Sequence, residues 1–84
     1  MGKPERWLQE IRAGKKKGWR FEQIRAILEV KGFRIRPKAK GSHRIFKHPS
    51  GDRIMVLDKG SGELPPVYVE RALEAIRRVE EGHA

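Results

Sequence analysis

Apolar positions fall first at helical spacing. Trp7, Leu8 and Ile11 share one face of a segment from Pro4 to Ala13, and a proline suits a first helical turn. Gly14-Lys15-Lys16-Lys17-Gly18 interrupts the pattern. A second helix is predicted from Phe21 to Lys31, with Phe21, Ile24, Ile27 and Leu28 on one stripe and Gly32 as its left-handed stop. The period then shortens to two. Phe33-Arg34-Ile35-Arg36 alternates as a half-buried strand does, and Pro37 places it at an edge or ends it. Ser42 to Lys47 and Arg53 to Leu57 read as two further strands, joined by the turn Pro49-Ser50-Gly51-Asp52. After Leu64-Pro65-Pro66, the residues Val69, Ala72, Leu73, Ile76 and Val79 form the stripe of a last helix.

The order α-α-β-β-β-α with short links predicts an α+β two-layer sandwich: a three-stranded antiparallel sheet with helices on one face. One feature complicates that picture. Ile45 and Phe46 are adjacent, as are Ile54, Met55, Val56 and Leu57, so both sheet faces carry apolar groups. Only one face lies under the two longer helices. The other is open, or is covered by the N-terminal helix or by a partner.

With 84 residues the chain holds a single domain, residues 1–84, with its core over 21–80 and a helical extension over 1–20. There is no cysteine, hence no disulfide and no thiolate metal site. No stretch approaches the roughly 20 apolar residues of a spanning helix, and the N-terminal region lacks the apolar run of a signal peptide. A cytoplasmic protein with no membrane association is expected. The net charge of +9 points to a polyanion. It is unevenly spread: residues 1–48 carry fifteen Lys and Arg against four Glu, the remainder five against seven acids, so the polyanion is expected to meet the N-terminal half.

Candidate chemistry centres on histidine. His43 and His48 sit at the two ends of the second strand, and their odd separation turns them to opposite faces. They are not expected to act as a pair or to share a metal ion, and no cofactor is expected. His83 lies next to the C-terminus and carries no expected role. His43 follows Gly41-Ser42 at the mouth of a hairpin, with Lys38, Lys40, Arg44 and Lys47 near it in sequence. Those cations suit a scissile phosphate and the charge that develops on it, and Gly41 lets backbone N–H groups approach one. Arg34, Arg36 and Lys38 alternate along one face of the first strand and extend this into a phosphate-tracking stripe with Lys40 and Arg44. Trp7, Trp19 and Phe21 are candidates for base stacking, although their helical spacing favours a core role. Gly60-Ser61-Gly62 lacks the ending of a nucleotide-binding phosphate loop.

The run Lys40-Gly41-Ser42-His43-Arg44-Ile45-Phe46-Lys47-His48-Pro49, preceded by a helix ending in Gly32-Phe33, resembles the signature of the HicA toxin family. The likeness covers residues 21–80. It implies a fold similar to the double-stranded RNA-binding domain and a metal-free endoribonuclease that cuts messenger RNA. It also implies catalysis by the histidine of the Gly-Ser-His motif, here His43, and masking by a HicB-like antitoxin. On this reading Arg34, Arg36, Lys38, Lys40, Gly41, Ser42, Arg44 and Lys47 bind the RNA. Two other readings remain open at this point: a non-catalytic RNA-binding module of the same fold, and a protein-interaction subunit that uses the open sheet face.

Overall fold

The computed structural model describes residues 2–36, 41–58 and 62–82. The elements are α1 (Lys3–Arg12), α2 (Phe21–Val30), β1 (Arg34–Ile35), β2 (His43–Lys47), β3 (Arg53–Leu57) and α3 (Pro66–Glu81). The strands form an antiparallel sheet in the order β1-β2-β3. The architecture is therefore the expected α+β sandwich, an α-β-β-β-α unit with an extra N-terminal helix.

Local chemistry explains the helix limits. The Glu5 carboxylate accepts from the Gly2 N–H at 3.1 Å, and the Gln23 side chain from the Arg20 N–H at 2.9 Å. Each is half of a capping box, which satisfies a donor the helix leaves orphaned. Gly32 ends α2 with φ +96, and Pro65-Pro66 opens α3 with the ring already at a helical φ.

The core lies between the helices and one sheet face. Phe46, Ile54 and Val56 project from the sheet into it, to meet Phe21, Ile24, Ile27 and Leu28 of α2 and Val69, Ala72, Ile76 and Val79 of α3. Phe21 and Phe46 pack with ring centroids 6.0 Å apart. Phe33, read as the first strand residue, is fully buried just ahead of β1, which is shorter than its alternation suggested.

The extension completes this core. α1 packs on α2 and α3, burying Leu8 and Ile11, and so joins the helical layer. The connecting segment is fastened at Trp19. The Trp19 indole N–H donates to the Lys15 carbonyl at 2.9 Å, and the Trp19 carbonyl accepts from the Leu64 N–H at 2.7 Å. Trp7 meets the Trp19 ring edge-on at 6.4 Å. Trp19 and Phe21 are buried core residues and Trp7 packs against them. The second sheet face is left open: Ile45 and Met55 stand 36% and 39% exposed on it. No helix among the described residues is long and apolar enough to cross a membrane.

Candidate functional site

Strand pairing decides what shares a face with His43. Residues directly opposite one another point the same way. The pairs are His43 with Leu57, Ile45 with Met55, and Lys47 with both Arg53 and Arg34. The Arg36 N–H donates to the Ile45 carbonyl at 2.8 Å, which continues the register and sets Arg36 on this side too. The open face thus carries His43, Arg34, Arg36, Lys47 and Arg53, with Ile45 and Met55 between them. Arg44, Phe46 and His48 belong to the opposite side.

This geometry separates residues that the sequence groups together. Arg44 bonds the Gly41 carbonyl at 2.8 Å and lies 3.7 Å from an Asp58 carboxylate oxygen. It braces the turn before β2 from the helix side of the sheet, away from His43. Gly41 sits at φ +66, a left-handed conformation that a side chain resists. Gly41 and Ser42 are exposed beside His43. Lys38, Lys40 and His83 lie outside the described residues.

The two histidines stand in different environments. His43 is exposed, and no described side chain bonds its ring. His48 is built into the structure. Its ring packs on Phe33 with centroids 5.1 Å apart, and its Nδ1 accepts from the Ser50 N–H at 3.0 Å. The Ser50 hydroxyl, 3.0 Å from the same nitrogen, continues to the Asp52 carboxylate. The other side of the ring closes on the backbone: a Cβ at Gly32 would stand 2.9 Å from His48 Nε2. His48→Ala is accordingly expected to lower folding stability by about 1–2 kcal/mol and to leave RNA chemistry on the folded protein nearly unchanged. Urea titration and a cleavage assay on the same sample check this.

The electrostatics of the open face follow from where the acids are. No Asp or Glu occurs in any strand. Asp52 and Asp58 flank β3 but pair with His48 and Ser42 and so share the helix side; Asp52 lies 3.7 Å from Arg78 of α3. On the helices, Arg12, Lys31, Arg25 and Arg78 pair with Glu80, Glu29 and Glu74. Arg34, Arg36, Lys47 and Arg53 have no such partner among the described residues. Arg53 was missed in the sequence. Its place follows from the turn Pro49-Ser50-Gly51-Asp52, which sets it opposite Lys47, but only once the hairpin register is known.

Two surface hollows lie among the described residues. One of about 370 Å³ runs from the β3 edge of the open face to α3, lined by Arg53, Met55, Val67, Glu70, Arg71 and Glu74. The other, of about 480 Å³, lies between Arg12 of α1 and Leu73 and Arg77 of α3. His43, an exposed residue, lines neither of these two. Among the described residues no three His, Asp or Glu side chains converge as metal ligands would.

Residues 21–77, well over half of the chain, match the model of a family described as the HicA toxin of bacterial toxin–antitoxin systems. The match takes in α2, the whole sheet and most of α3, and begins after α1. No curated protein and no solved structure matches the chain.

Proposed function

Because the chain belongs to the HicA toxin family of bacterial toxin–antitoxin systems, we propose that it is an endoribonuclease that cuts messenger RNA in the cytoplasm with His43 as general base and without a metal ion. The observation that carries this reading is the accessible imidazole of His43 on a sheet face that has unpaired cations and no strand carboxylate.

The chemistry follows from those groups. His43 takes the proton from a ribose 2′-hydroxyl. The freed oxygen bonds to the adjacent phosphorus as the bond to the 5′-oxygen breaks, and that oxygen takes a proton from water or a lysine. A 2′,3′-cyclic phosphate results. The added negative charge is met by cations and by backbone donors at Gly41 and Ser42. Lys38 and Lys40 serve as further phosphate contacts, and Arg44 holds the turn that presents His43. A HicB-like antitoxin, acidic where it docks, covers this face and excludes RNA.

Purified protein incubated with messenger RNA in EDTA is expected to give fragments ending in 2′,3′-cyclic phosphate or 3′-phosphate. Fragments ending in 3′-hydroxyl, or loss of cleavage in EDTA, would overturn the mechanism. Binding without cleavage would favour a non-catalytic RNA-binding module of the same fold.

A further inference from the structure

Three cations stand side by side across the open face: Arg34 on β1, Lys47 on β2 and Arg53 on β3, each directly opposite the next. Neighbouring strands are about 4.8 Å apart, and like charges directly opposite one another destabilise a sheet. The Lys47–Arg53 pair is of the closer kind. The His48 N–H donates to the Asp52 carbonyl at 2.9 Å, so the next pair inward lacks backbone hydrogen bonds and its side chains approach more tightly. No carboxylate on the strands offsets this repulsion, and Glu70 and Glu74 of α3, which line a hollow with Arg53, form no ion pair with it.

Resting on the reading of the protein as a ribonuclease, we propose that the row Arg34–Lys47–Arg53 is a second phosphate site, which holds the substrate strand at a fixed distance from the phosphate cut at His43. A bound phosphate supplies the anion that the row lacks. His43 and Lys47 are four residues apart on β2, or about 13 Å by strand rise. Stacked nucleotides advance about 3.4 Å per phosphate, so about four span the gap, and about two when the strand is extended to roughly twice that advance. Between the two sites lie Ile45 and Met55, 36% and 39% exposed. They give an apolar floor against which sugars and base faces lose water while the phosphates at either end stay charged. The substrate is therefore a single strand laid along β2.

The test compares Arg53→Gln with Arg77→Gln, which removes the same charge from an exposed position on α3. Wild-type cleavage of a short single-stranded oligonucleotide gives the baseline; its absence would sink the ribonuclease reading itself. Arg53→Gln is expected to raise KM by roughly three- to tenfold with kcat little changed. It should also flatten the slope of log K against log salt by about 0.7, the share of one phosphate in a single strand. Arg77→Gln should do neither. Methylphosphonate linkages placed one at a time then locate the contact. Neutralising one phosphate two to four nucleotides from the cut should weaken wild-type binding and leave Arg53→Gln indifferent. Wild-type cleavage with Arg53→Gln matching Arg77→Gln in KM and salt slope would overturn the second site. So would an Arg53→Gln protein that handles RNA normally and loses only its grip on an acidic antitoxin, since the row would then serve a protein.

Discussion

Replacing His43 by alanine is expected to slow RNA cleavage by about 10²–10⁴-fold, the usual worth of a positioned acid–base group. Binding should survive almost intact, because phosphate affinity comes from the row of Lys and Arg side chains and one ring adds little. The ring is exposed and no described side chain bonds it, so its removal leaves no orphaned group and no cavity. The folded protein should therefore unfold at the wild-type midpoint. That separation marks a chemical role: rate falls while stability and affinity hold. His48→Ala should show the reverse pattern, with stability lowered and rate held. Cleavage kinetics and thermal melts on both variants decide it. Equal loss of rate in the two would point to a paired-histidine mechanism, and an unaffected His43→Ala to a site elsewhere.

A comparably large effect, on stability, is expected at a residue the family match does not include. Trp19→Ala should cost about 3–5 kcal/mol. The side chain is 2% exposed, within the same buried cluster as Phe21 and Phe46, and its indole N–H is bonded to the Lys15 carbonyl. At roughly 0.05–0.15 kcal/mol per residue, a chain of 84 residues has on the order of 4–12 kcal/mol in all, so this one truncation removes a large share. At about 4–8 °C per kcal/mol for a domain of this size, the melting temperature should fall by tens of degrees. An unchanged melt would mean that residues 1–20 are an appendage to a core complete without them.

Legibility in the sequence tracked the kind of physics involved. Apolar stripes report which side of a helix is buried, and those of α2 and α3 were plain from spacing. The same stripe on α1 could not say what it packs against, because Trp7, Leu8 and Ile11 fit a sheet face as well as a helical pair. The docking of α1 on α2 and α3 buries Leu8 and Ile11 through long-range contacts, and the linker behind it is tied by the Leu64 N–H to the Trp19 carbonyl, none of which a local pattern records. Side-chain parity separated His43 from His48 by counting alone. It separates Arg44 from His43 equally well, and yet nearness in sequence suggested that the two share a site. Arg53 needed one step more, the register across the β2–β3 turn.

The adjacency of Ile45 with Phe46 and of Ile54 with Met55 has a consequence for folding fidelity. A one-residue slip of a strand exchanges its two faces. Here hydrophobicity alone barely opposes a slip, since either face of β2 or β3 can offer apolar groups to the helices. Charge opposes it instead: a slipped β2 would carry Lys47, and a slipped β3 Arg53, from solvent into the apolar layer under α2 and α3. Taking a cation out of water into such a layer costs several kcal/mol, so the misaligned sheet is closed off by the same charges that crowd the native one. Glutamine at position 53 keeps that safeguard in polar form. Leucine at 47 or 53 would remove it and leave two alignments competing for one helical layer.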